Sequence, residues 1–366
     1  MERPWYYRFN WFLAIAAVTL AVFGVVVIQS ANLHDPTGAN EWRRQMFYIF
    51  AGIGILALCA WIDYRRWQRW ALALYVLNLV LLIIVFKGGH SALGAQRWIS
   101  LGPLGTFQPS EPAKLILAIV IATRLARNPI AGPRELLFTL AAVAPAAFLI
   151  LKQPDMGTTL TILAILSAQL FFGVTRLTYF GYYAFGSAVA AALVVGTNFV
   201  LKPFQRNRLL IFLHPNSDPQ GAGWSLNQSK IAVGSGELFG KGLHHGTQTQ
   251  LNFVPEHSRD FIFTVVGEEL GYVGALSLVL AYAAVIGGAL TAVFAARDRF
   301  GLLLAIGIVT MLAFHIVVNI GMTLGIMPIT GIPLPFLSYG GSAILTDFAA
   351  IGVLLNIHMQ KDKVVF

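Results

Sequence analysis

Long apolar runs recur along the whole chain, separated by short polar stretches. A helix of roughly 20 apolar residues crosses a bilayer. The runs predict ten spanning helices, at 11–31, 46–62, 70–86, 112–126, 136–151, 157–173, 178–201, 261–296, 301–323 and 341–359. The run at 261–296 is too long for one upright helix; tilting, a kink near Gly287-Gly288, or projection beyond the membrane would each accommodate it. The first run is too long for the core of a signal peptide, and many spans follow it, so an uncleaved anchor is predicted. The expected fold is an all-α polytopic membrane protein, with a single transmembrane domain over 1–366 and one long extracytoplasmic loop at 202–260 within it.

Composition agrees. Hydrophobic residues make up 57% of the 366 residues and charged residues 11%, against about 45–50% and about 25% in a typical globular domain. A soluble enzyme, a disordered chain and a disulfide scaffold are excluded. Cys59, the one cysteine, lies in an apolar run with no metal-ligand spacing around it and reads as a small buried hydrophobe.

Charge sets the direction of the spans. Thirteen of the 25 Lys and Arg fall on one side if the spans number ten, among them Arg65, Arg66, Arg69, Arg124, Arg127, Arg134, Arg297 and Arg299. That side is cytoplasmic, and both termini lie there. The net charge of +9 sits in no basic domain or arm, so the partners it suggests are membrane lipids with phosphate head groups and not nucleic acid.

Four outer segments carry polar groups at the edges of apolar helices. In Gln108–Lys114, Ser110 reads as an N-cap and Pro112 fits the first turn of a span. Glu111 and Lys114 share a face. A cation there opposes the helix dipole and needs an anionic partner, which is Glu111 itself or a ligand phosphate. Arg97 beside Trp98 is either an interfacial anchor or a grip on a lipid head group. Asp155, in Gln153–Thr159, reads as an N-cap, with a metal or sugar contact as the other reading. Asp260 closes the charged stretch Glu256–Asp260 immediately before a span. It is either a capping carboxylate or, partly desolvated, a general base. Glu268 and Glu269 lie two turns deeper, either functional or paired with a cation from another helix. The fourth segment, Gly331–Ser342, permits a bent backbone close to a ligand or serves only as a turn. His315, Asn319 and Asp347 read as interhelical hydrogen-bonding residues. Leu226–Leu238 predicts a short helix on the membrane surface. No P-loop, zinc motif or Ser-His-Asp arrangement is present, which argues against an ATP-driven pump. A transporter and a lipid-processing enzyme both fit.

The segments Gly94–Ile99 with Gln108–Lys114, Gln153–Thr159, Asp218–Gly223 with Gln228–Gly242, Gly246–Phe263, and Gly331–Ser342 resemble the SEDS family (shape, elongation, division and sporulation proteins), and its elongation branch most. The resemblance implies a peptidoglycan glycosyltransferase that polymerises lipid II at the outer face of the cytoplasmic (inner) membrane. It implies a class B penicillin-binding protein, the cross-linking transpeptidase, as partner, and a divalent cation (Mg2+ or Mn2+) as helper, with no organic cofactor. It places the essential acid on Asp260. Supporting roles fall on Glu111 and Asp155, and pyrophosphate and substrate binding on Arg97, Trp98, Lys114, Arg206 and Arg208. The cation would be held by Glu111, Asp155 and Asp260. Arg259 stands where many relatives carry a small hydroxyl residue, and a cation beside Asp260 would weaken it as a base unless it turns away. The rival function is a lipid II flippase, which needs a polar path to the cytoplasmic side; an enzyme concentrates its polar groups at the outer face.

Overall fold

A computed structural model describes residues 5–35, 38–88, 90–92, 95–100, 102, 105–196, 212 and 221–362. In chain order the elements are α1 (Trp5–Arg8), α2 (Trp11–Ala31), α3 (Glu41–Trp61), α4 (Tyr64–Gly88), β1 (His90–Ala92), β2 (Ala95–Ser100), β3 (Thr106–Phe107), α5 (Ser110–Arg127), α6 (Pro133–Lys152), α7 (Met156–Gly173), α8 (Leu177–Gly196), α9 (Ala222–Ser235), α10 (Thr247–Gln250), α11 (Ile262–Ala295), α12 (Arg299–Thr323) and α13 (Gly341–Met359). Each predicted span corresponds to a long helix, with residues 197–201 of the span predicted at 178–201 lying outside the described residues. Among the described residues, eight of these are long and apolar enough to cross a membrane. The other two predicted spans fall on α5 and α8; α5 carries Glu111 and Lys114 at one end and Arg124 and Arg127 at the other.

Close helix packing builds the core. In a membrane, small residues let helices approach. Gly52 of α3 faces the Phe348 ring of α13, and Gly352 of α13 faces the Leu56 backbone. Gly307 of α12 faces the Ala118 side chain of α5, and Leu117, Ile121, Leu304 and Ile308 of the two helices are fully buried. Helix ends are capped where the sequence allows. Asp298 accepts from the Gly301 amide at 2.7 Å to start α12, and Asn10 accepts from Leu13 to start α2.

Three features differ from the sequence reading. The segment before α5 holds a small antiparallel sheet in the order β1-β2-β3, pairing His90 with Trp98 and Ile99 with Phe107. Strand alternation is hard to see in so short a polar loop. The helix expected on the membrane surface over Leu226–Leu238 runs over Ala222–Ser235 and is packed into the bundle, where Ser229 meets Thr264 of α11 at 2.7 Å and donates to the Thr323 carbonyl of α12 at 2.8 Å.

The third difference is the break in the long span. It lies at Gly271 (φ 65°), and not at Gly287-Gly288, which stay helical. The Glu268 and Glu269 carbonyls lose their helical donors there and accept instead from the Lys241 (3.1 Å) and Gly242 (2.9 Å) amides. The Tyr272 and Val273 amides, freed in turn, donate to the Glu237 (2.8 Å) and Leu238 (3.0 Å) carbonyls. The 237–242 loop thus supplies the bonds the helix gives up, as broken backbone in an apolar surrounding requires. The same stretch settles Glu268, whose oxygens accept from Lys241 Nζ, the Gln248 and Thr249 amides and Thr249 Oγ1. Glu269 accepts from Ser30 Oγ at 2.5 Å. Both act as staples between the loop, α2 and α11. A Cβ added at Gly236 would stand 2.0 Å from the Gly267 carbonyl oxygen. Gly236→Ala is therefore expected to cost about 1–3 kcal/mol, the usual range for overpacking, read as a lower thermal midpoint in detergent.

Candidate active site

α5 starts at the outer end with Ser110 as its first residue and no side-chain cap. Ser110 does not cap the helix, as its sequence suggests; its Oγ donates to Asp155 at 2.9 Å. Asp155 caps α7, accepting from the Thr158 amide at 3.2 Å. It also accepts from Gln108 Nε2 (3.2 Å) and Thr158 Oγ1 (3.0 Å). One carboxylate thus ties the starts of α5 and α7 together, and the capping reading of Asp155 holds.

Lys114, one turn into α5, is buried. Its Nζ meets Glu111 Oε2 at 2.9 Å and His315 Nε2 of α12 at 3.3 Å. Glu111 is the anionic partner that the helix position demanded. Arg97, on β2, donates through Nε to the Gln153 carbonyl at 2.9 Å and through Nη2 to the Pro154 carbonyl. These carbonyls close α6, so the cation sits where the helix dipole favours it and pins the sheet to the α6–α7 corner.

Asp260 is not a cap. α11 begins at Ile262, with Phe261 in the capping position and no side-chain cap bond. The Asp260 backbone is clamped: its carbonyl accepts from Asn319 Nδ2 at 2.8 Å, and the same amide group reaches the Ile332 carbonyl at 2.7 Å. Ser338 Oγ donates to the Arg259 carbonyl at 2.6 Å, and the Tyr339 amide to the Ser258 carbonyl at 2.9 Å. The bent Gly331–Ser342 segment is thus the support on which Ser258–Asp260 rests.

Arg259 faces the acids beside it. Its guanidinium pairs with Glu41 Oε1 (3.4 Å) and Glu256 Oε2 (3.3 Å) and lies over the Tyr339 ring. Burial works against its charge, but Glu256, Glu41, Tyr339 and Asp260 more than offset this and hold its pKa above the usual value. Burial likewise raises the Tyr339 hydroxyl, with Glu41 adding to the effect. Glu41 Oε2 accepts from Asn32 Nδ2 and Ser258 Oγ, both at 2.8 Å.

These groups converge. Arg97, Trp98, Glu111, Lys114, Asp155 and Asp260 all line one cavity of about 550 Å³ at the outer end of the bundle. Arg206 and Arg208, expected to join them, lie outside the described residues. The cavity also takes in Glu41, Arg44, Tyr48, Gln108, His315 and Tyr339, which sequence reasoning did not place there. One signal pointed to Glu41 and Arg44: Glu41-Trp42-Arg43-Arg44 puts two arginines on the outer side, against the charge bias of the chain. His315 is more than an interhelical hydrogen-bonding residue, because its partner is the cavity lysine.

The described residues give the expected cation no cage of their own; one or two carboxylates together with substrate phosphates would have to hold it. Among the described residues, no three His, Cys, Asp or Glu are grouped to hold a metal ion. The Asp155 oxygens already accept from Ser110, Gln108 and Thr158, and Glu111 is tied to Lys114. Glu111, Asp155 and Asp260 line one cavity but do not form a ligand set.

Fold and site together describe a polytopic membrane protein with a charged cavity opening at its outer face. The chain belongs to the FtsW/RodA/SpoVE family of cell cycle proteins, whose model matches residues 10–363. It is 38% identical over 352 residues to the peptidoglycan glycosyltransferase MrdB of Escherichia coli K12, covering 95% of this chain and 93% of that one. It is similar to a chain from a structure described as showing "structural coordination of polymerization and crosslinking by a peptidoglycan synthase complex", with TM-score 0.83, 30% identity, and 97% and 99% of the two chains covered. It is also similar to the rod shape determining protein RodA of Thermus thermophilus, with TM-score 0.72, 28% identity, and 97% and 98% covered.

Proposed function

We propose that this chain is a peptidoglycan glycosyltransferase that polymerises lipid II during cell elongation, at the outer face of the bacterial cytoplasmic (inner) membrane. One observation carries the reading: every charged group of the cavity comes from the outer end of the bundle. Leu117, Ile121, Ile308, Leu312, Ile351 and Leu355 of α5, α12 and α13 belong to a largely apolar buried core, in which Gln169 spends its amide on the Ala118 and Leu303 carbonyls. A flippase needs a polar path through that core. Relatives bearing the glycosyltransferase name support the same reading. The neighbour from a synthase complex supports a cross-linking partner, a class B penicillin-binding protein.

The reaction joins the C4 hydroxyl of one lipid-linked sugar to C1 of another with inversion and expels undecaprenyl pyrophosphate. Asp260 takes the hydroxyl proton as the C–O bond forms. Lys114 and Arg97, joined by Arg206 and Arg208, stabilise the charge gathering on the departing pyrophosphate. Trp98 borders the sugar-pyrophosphate region, and the apolar helix faces take the lipid tails. Glu111 and Asp155 hold Lys114 and the α5–α7 junction in place. Holding two membrane-confined substrates together supplies much of the remaining rate.

The test is purified full-length protein with labelled lipid II, read on a gel for glycan strands, beside a vesicle assay for lipid II translocation. Strands without translocation are expected. Translocation without strands would replace this reading with the flippase.

A further inference from the structure

A lysine ammonium has three N–H donors and no acceptor. In Lys114 one donor goes to Glu111 Oε2 at 2.9 Å and one is shared with His315 Nε2 at 3.3 Å. Since the ammonium only donates, Nε2 must be the acceptor, and the ring proton sits on Nδ1. The imidazole is therefore neutral. A second carboxylate at the same place would give the cluster a net negative charge, because Glu111 already balances Lys114, whereas a neutral acceptor leaves that balance unchanged. His315 and Lys114 are both buried, and both line the cavity. Asp347 of α13 acts electrostatically on the same cluster. Two fixed acceptors leave a third N–H for a ligand.

We infer that His315 is a positioning residue for glycosyl transfer, holding the Lys114 ammonium on the cavity wall so that its remaining donor meets the departing pyrophosphate. The inference rests on the proposed role of Lys114. An interaction that strengthens only as the leaving group gathers charge acts on kcat and not on KM. His315 is thus expected to act through turnover, without touching substrate.

Gln and Asn separate this role from helix packing. A glutamine at 315 can place its amide oxygen near the position of Nε2, whereas asparagine reaches only that of Nδ1. In the polymerisation assay, His315→Gln should keep kcat within about threefold of the parent. His315→Asn should lower it about 10–100-fold, the range for residues that orient a functional group, with KM changed less than about threefold. The two variants should share one thermal midpoint. The inference is overturned if Gln and Asn behave alike, or if the losses follow the thermal midpoint. The pair-neutralised variant Glu111→Gln/Lys114→Met tells the two levels apart. If its kcat is unchanged, the role of Lys114 itself fails. If its kcat falls while Gln and Asn at 315 behave alike, only the role of His315 fails.

Discussion

Asp260→Asn is expected to leave the protein folded and unable to build glycan strands. General-base help is typically worth about 10²–10⁴-fold, and this variant removes the base while keeping shape and size. Asp260 caps no helix, Asn319 holds it through its backbone carbonyl, and asparagine keeps the side chain's size and one acceptor oxygen. Gel analysis of labelled lipid II should show no strands, and the thermal midpoint should match the parent. Strands formed at the parental rate would remove Asp260 from the mechanism.

Lys114→Met should damage both stability and chemistry. Lys114 and Glu111 leave only 2% and 7% of their side chains exposed. Taking one partner from a buried pair strands the other charge, at a typical cost of about 3–5 kcal/mol. Losing a preorganised positive group from a site of developing charge costs about 10²–10³-fold in turnover. The two losses can be separated. Adding Glu111→Gln removes the stranded carboxylate, so the double variant should regain much of the thermal midpoint while staying slow. If the double variant regained turnover together with stability, Lys114 would be structural alone.

The spans were legible because apolar runs of membrane length leave few alternatives, and each corresponds to a helix. The break in α11 was not. Gly271 and the Gly287-Gly288 pair look equally able to bend a helix, and what selects Gly271 is a loop some thirty residues earlier whose backbone takes over the missing bonds. Much of the site was legible because family motifs flag residues one at a time, and Arg97, Trp98, Glu111, Lys114, Asp155 and Asp260 do share a cavity. Capping was harder to judge: Asp155 and Asp260 both precede a span, and only Asp155 caps its helix. The residues that sequence reasoning missed act through distant partners. Glu41 reaches Arg259 across 218 positions, and His315 reaches Lys114 across 201. No local pattern encodes such pairings.

The 237–242 loop has a consequence for how the protein tolerates change in length. Surface connections usually accept insertions and deletions readily. This one donates from Lys241 and Gly242 and accepts at Glu237 and Leu238, each matched to one orphaned group of the broken helix. Deleting or adding a single residue would slide the four contacts out of register at once and leave the peptide groups of the broken helix without partners. Its residue count is thus as constrained as that of a strand inside a sheet.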